Sequence, residues 1–207
     1  MDLYLAPINM LSNNAFRKLC LDFGADYVFT EMVWAERILD KNEFEEKKLQ
    51  IDDEKHTIIQ IIAEESKNIA PFVKLLKKKF LSVKELNLNI GCPQSTMSKR
   101  MLGGGMLKNK EKMKEFCKEF SKACKKLKVT PSVKIRTGVN TPDLESYLKI
   151  IREAEISKLY IHARTLTQGY VRPANYLSLK EAEKELKGFD VIVNGDITDI
   201  KTLKEAV

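Results

Sequence analysis

The chain has 207 residues, 43% hydrophobic and 31% charged, and its 36 Lys and Arg exceed its 29 Asp and Glu to give a net charge of +7. That length can bury a substantial core, and the composition excludes a disordered polyelectrolyte. No apolar run approaches the ~20 residues of a membrane span, so no membrane association is expected, whereas the basic balance favours polyanionic partners.

Strand-like runs fall at residues 3–8, 27–32, 57–63, 84–90, 132–136, 158–163 and 191–193. Amphipathic helical patterns fall between them at 13–23, 68–79, 110–126, 142–154 and 177–186, with 200–206 closing the series. The charged segment 34–53 reads as an irregular loop with a short helix. This alternation predicts a parallel α/β sheet.

The strands run into Pro7-Ile8-Asn9, Thr30-Glu31, Gln60, Asn89-Ile90-Gly91-Cys92, Lys134 with Arg136, His162 to Arg164, and Asn194-Gly195-Asp196. Chemically capable groups at nearly every strand end favour a TIM (β/α)8-type barrel over a doubly wound sheet, which concentrates them at one switch point. The pattern covers seven β/α units, so the expectation is a single barrel domain over residues 1–207, truncated after the seventh unit.

The four cysteines, Cys20, Cys92, Cys117 and Cys124, show no CxxC spacing, and two histidines add no zinc pattern, so no metal is expected. The N-terminus lacks the basic n-region of a signal peptide, and a reducing cytoplasm is the expected compartment. Cys92 stands apart because Gly91 and Pro93 flank it at the end of a strand. Two readings stand open on this stretch alone: a small buried residue at a turn, or a thiol placed for chemistry.

The ordered set Ala6-Pro7, Thr30-Glu31-Met32, Gln60, Asn87-Leu-Asn-Ile-Gly-Cys-Pro93, Lys134-Ile-Arg136-Thr-Gly138, His162-Ala-Arg-Thr165 with Gln168 and Tyr170, and Asn194-Gly-Asp196 resembles the tRNA-dihydrouridine synthases. That family is a flavin-dependent TIM barrel that reduces the C5–C6 bond of selected tRNA uridines, with NADPH reducing FMN. The resemblance implies that Cys92 protonates C5 and that Asn89 faces the flavin and the substrate base. It implies FMN contacts from Pro7 and Ile8 through the main chain, Gln60 near N5, Lys134 near N1/O2, His162 toward the phosphate end, and the Asn194-Gly195-Asp196 turn at the phosphate. Lys99, Arg100, Arg136, Arg164 and Gln168 would face the RNA. Ile8 stands where the family usually has methionine, and Tyr176 near a common tryptophan. The family's eighth strand, with its Gly-Arg pair, and its helical tRNA-binding domain have no counterpart in these 207 residues.

The lysines at 110, 114, 118, 122 and 126 form a ridge laced with Glu111, Glu115 and Glu119, which reads as a solvated helix face. Cys20, Cys117 and Cys124 read as inert residues on core-directed helix faces, and His56 as a surface residue. The expected protein is a monomer that binds tRNA. The competing readings are a flavin barrel acting on a free pyrimidine, as in dihydroorotate oxidation, and a non-catalytic RNA-binding remnant.

Overall fold

A computed structural model describes residues 1–206. The elements run β1 (Tyr4–Leu5), α1 (Asn14–Asp22), β2 (Tyr27–Phe29), β3 (Val33–Trp34), α2 (Ala35–Leu39), α3 (Glu43–Lys47), β4 (Thr57–Ile62), α4 (Ile69–Lys79) and β5 (Glu85–Ile90). They continue through α5 (Ser95–Lys99), α6 (Lys110–Lys126), β6 (Thr130–Arg136), α7 (Leu144–Glu153), β7 (Lys158–His162), α8 (Leu177–Glu181), α9 (Glu183–Leu186), β8 (Asp190–Asn194) and α10 (Ile200–Ala206). Short 3-10 turns occupy Ser66–Asn68 and Gly103–Lys108.

Two compact units contain these elements: Met1–Leu88 with Glu119–Pro131, and Asn89–Lys118 with Ser132–Val207. In the first, β1 pairs with β2, β2 with β4 and β4 with β5, all parallel, while the short β3 also pairs with β4. In the second, β6 pairs with β7 and β7 with β8, again parallel. This is an α/β fold of the TIM-barrel type.

The β-branched run in β4 (Thr57, Ile58, Ile59, Ile61, Ile62) is buried on both faces, as a helix-covered parallel strand should be. Helix α4 buries Ile69, Phe72, Val73 and Leu76, the i, i+3, i+4, i+7 stripe of an amphipathic helix. In the second unit Val133, Ile135, Leu159 and Ile161 are fully buried, and α7 buries Leu148 and Ile151. Each such side chain contributes about 1.5–3 kcal/mol on burial.

Several elements differ from the sequence expectation. The first strand shrinks to two residues because Pro7 lacks an N–H and the following residues turn back: Leu11 and Ser12 both donate to the Ile8 carbonyl. The segment 34–53 holds two short helices, organised by the fully buried Glu45, which accepts from the Trp34 N–H at 2.8 Å and pairs with Lys48 at 2.9 Å. The helical pattern at 177–186 breaks at Ala182 into α8 and α9. Beyond Cys92, where the sequence expectation placed no element, the chain forms α5 and a 3-10 turn.

Candidate active site

Three strands of the second unit set the geometry. In a parallel ladder, paired residues share a face, so Arg136 on β6, His162 on β7 and Asn194 on β8 form one row. Lys134, Tyr160 and Ile192 form the row before it, two residues back along each strand.

Cys92 follows β5 and is half-buried. Three contacts hold the main chain around it. The Asn89 side-chain oxygen accepts from the N–H groups of Gly91 and Cys92 at 3.1 and 3.0 Å. The Gly104 N–H donates to the Cys92 carbonyl at 3.0 Å. Arg136 Nε donates to the Gly91 carbonyl at 3.0 Å. A Cβ on Gly104 would stand 2.7 Å from the Cys92 carbonyl oxygen, so only glycine allows this approach. Burial pushes the Cys92 thiol pKa up, while the Gln94 N–H and the charges of Arg136 and Lys134 oppose that shift without cancelling it. The thiol is therefore protonated at neutral pH.

Lys134 has its pKa pushed down to about 8, first by burial and then by Arg136, against a smaller opposing effect of Cys92. His162 is pushed down to about 3, first by burial and then by Lys134, Arg136 and Arg164. Arg164 Nη1 lies 3.0 Å from His162 Nε2. A guanidinium can only donate, so Nε2 accepts and the single ring proton sits on Nδ1.

Arg164, 5% exposed, also donates to both carboxylate oxygens of Asp196 at 2.6 and 2.5 Å and to the Arg172 carbonyl at 2.7 Å. The Arg164 hydrogen bond, reinforced by the Ala174 N–H, holds Asp196 below the usual carboxylate range. Arg136 is the largest of the fully buried side chains, and its Nη1 donates to the carbonyls of Thr165 and Gly169 at 2.9 and 3.0 Å. Gln168 accepts from the Thr165 N–H at 2.7 Å and closes the same loop. Arg136, Arg164 and Gln168, expected to face RNA, thus have side chains engaged within the protein. The exposed Tyr170 ring lies over this cluster, 5.3 Å from the Arg136 guanidinium and 5.7 Å from that of Arg164.

Gly195 takes φ 123, and a Cβ there would meet Ala174 and the His162 ring. The neighbouring Asn194 side-chain oxygen is buried without a partner. Lys99 and Arg100, in and after α5, lie at the exposed surface.

The remaining expected site residues belong to the first unit. Gln60 is buried and donates through Nε2 to Asn87 Oδ1 at 2.9 Å, a cross-strand pair in the β4–β5 register. Pro7 is half-buried and Ile8 42% exposed. Cys117 and Cys124 are buried, with thiol pKa values pushed up to about 12 and higher, whereas Cys20 is only half-buried. The lysine ridge is solvated, and its Lys110 and Lys114 pair with Asp143 and Glu153 at 3.0 and 2.8 Å. No local signal announced that Arg136 reaches Gly91, 45 positions earlier.

Among the described residues no helix is long and apolar enough to cross a membrane, and no group of three or more His, Cys, Asp or Glu side chains is placed to hold a metal ion.

A parallel α/β fold of the TIM-barrel type, with a thiol and several cations at its strand ends, has the arrangement of a barrel enzyme. A family described as Dihydrouridine synthase (Dus) matches residues 4–207. The chain is 30% identical over 197 residues to the "Probable tRNA-dihydrouridine synthase" of Aquifex aeolicus, covering 95% of this chain and 61% of that protein. It is 26% identical over 200 residues to "tRNA-dihydrouridine synthase B" of Escherichia coli K12, covering 95% and 60%. The corresponding protein of Pasteurella multocida is 28% identical over 214 residues, covering 98% and 60%. The chain belongs to the dihydrouridine synthase family, and it spans about three-fifths of the length of these relatives.

Proposed function

We propose that this chain is the catalytic barrel domain of an enzyme that reduces specific uridines of tRNA to 5,6-dihydrouridine, with FMN as bound cofactor and NADPH as reductant. The observation that carries this reading is Cys92: a protonated thiol clamped at a strand end beside the positive charges of Lys134 and Arg136. Reduced flavin, when bound, supplies hydride to C6 of the uracil. Cys92 then breaks its S–H bond as the proton forms the new bond at C5. The charges of Lys134 and Arg136 stabilise the thiolate left behind, which recovers a proton from solvent.

The residues suit an anionic, ring-bearing cofactor. Three cations surround a neutral imidazole, Asn194 keeps a buried acceptor without a partner, and Gly195 leaves room where a side chain would intrude. Lys134 would sit at the pyrimidine edge of the flavin, where a cation favours the reduced ring. His162, Asn194, Gly195 and Asp196 would hold the phosphate end. The family resemblance assigns Pro7, Ile8 and Gln60 to the cofactor as well, Asn89 would face the substrate base, and Lys99 and Arg100 would meet RNA phosphates. Arg164 and Gln168 would act by holding the 165–172 loop. The setting would be the cytoplasm and the working form a monomer.

The test is to incubate the purified chain with FMN, NADPH and an unmodified tRNA transcript. Flavin uptake, seen in the visible spectrum, and dihydrouridine formation are expected. A protein that binds RNA but neither takes up FMN nor forms product would overturn the reading, and faster turnover of free orotate or uracil would transfer it to a free pyrimidine.

A further inference from the structure

A guanidinium buried to 1% exposure at a strand end is costly unless its N–H groups find acceptors. Arg136 uses Nε on the Gly91 carbonyl, directly before the thiol residue, and Nη1 on the carbonyls of Thr165 and Gly169. These carbonyls belong to two separate loops, those that follow β5 and β7. The flat fork of one side chain therefore sets the spacing between them, which a flexible ammonium cannot do in the same way. On the far side, the Cys92 carbonyl is held by the Gly104 N–H.

We propose that Arg136 is the positioning residue for Cys92: it fixes the thiol against the loop carrying Tyr170 and so contributes to proton delivery. This rests on the reading of Cys92 as proton donor. Arg136 is also one of the charges opposing the upward shift of the thiol, so its removal should alter both the place and the acidity of Cys92.

The experiment compares full-length wild type, Arg136→Met, Arg136→Lys and Gly104→Ala. In Arg136→Met, kcat for uridine reduction should fall by about 10- to 100-fold, the loss typical of a misplaced reacting group. KM for tRNA and the rate of flavin reduction by NADPH should change far less than kcat does. Iodoacetamide labelling, read at the Cys92 peptide across pH, should show a midpoint moved upward in Arg136→Met and retained in Arg136→Lys. The kcat of Arg136→Lys should be partly rescued. Gly104→Ala, which pushes on the same loop from the other side, should lower kcat and leave flavin reduction intact.

Unchanged kcat and an unchanged labelling profile in Arg136→Met would overturn the proposal. A rise in KM for tRNA alone would overturn it as well, returning Arg136 to RNA contact. Loss of folding in both Arg136 variants would place the residue in the scaffold only and likewise overturn it. If the wild type forms no dihydrouridine, the labelling profile still decides whether Arg136 governs the thiol, which separates this proposal from the functional reading.

Discussion

Arg17 and Arg136 are both almost fully buried, and both end on main-chain carbonyls, yet their electrostatic surroundings are opposite. In the first unit Arg17 donates to the carbonyls of Ser12 and Gln50 and to Asn14 Oδ1, and the carboxylates Glu31 and Asp52 support its charge. Glu31 in turn accepts from the Met10 N–H at 2.7 Å, so the ensemble latches the turn after β1. In the second unit Arg136 lies among Lys134, Arg164 and a neutral His162, and the groups that receive its charge are the Tyr170 side chain and the carbonyls of Gly91, Thr165 and Gly169, none of them a carboxylate. A buried cation supplied with carboxylates is complete in itself. One crowded by other cations depresses its neighbours' pKa values and leaves positive potential for an anion or a thiolate, which is how perturbed groups come to mark chemistry.

The comparison breaks if the two arginines respond alike. Arg17→Met removes charged hydrogen bonds and leaves the buried Glu31 without its cation, which should cost about 3 kcal/mol and lower Tm by roughly 6–12 °C. The Cys92 labelling profile of that variant should be unaltered. A thermal melt that matches wild type would show that Arg17 is no latch.

A smaller effect sharpens the second half of the comparison. His162 has its folded pKa lowered from 6.5 to about 3, so the unfolded state binds more protons between those values. Its contribution is therefore fully present above pH 6.5 and is lost as pH falls toward 3, with a slope of up to about 1.4 kcal/mol per pH unit. Denaturant titrations of flavin-free wild type and His162→Gln at pH 7 and pH 5 should show the variant losing less stability on acidification. Equal losses would mean that the imidazole is not held neutral by its surroundings.

The sequence carried different parts of this picture unequally. Periodic helical segments were legible: the long α6 and the short α10 begin and end where the apolar spacing predicts, because periodicity is a local property. The helices within residues 34–53 were not, since Glu45 becomes structural only by accepting the Trp34 N–H and pairing with Lys48 in a buried place. The same limit applies at the site. Lys134, His162 and Cys92 could be picked out as unusual residues in strand patterns. The attachment of Arg136 to Gly91, and of Arg164 to Asp196 over 32 positions, is a product of tertiary folding and has no signature in local sequence.

The central claim is that the Cys92 thiol supplies the proton at C5. Its most direct measurement is dihydrouridine formation by flavin-loaded Cys92→Ala beside wild type, on the same unmodified tRNA, with FMN content read spectroscopically in both. The account predicts equal flavin content and a product rate lower by about 10²–10⁴-fold, the range for loss of a general acid. An unchanged rate in the flavin-replete variant would contradict it.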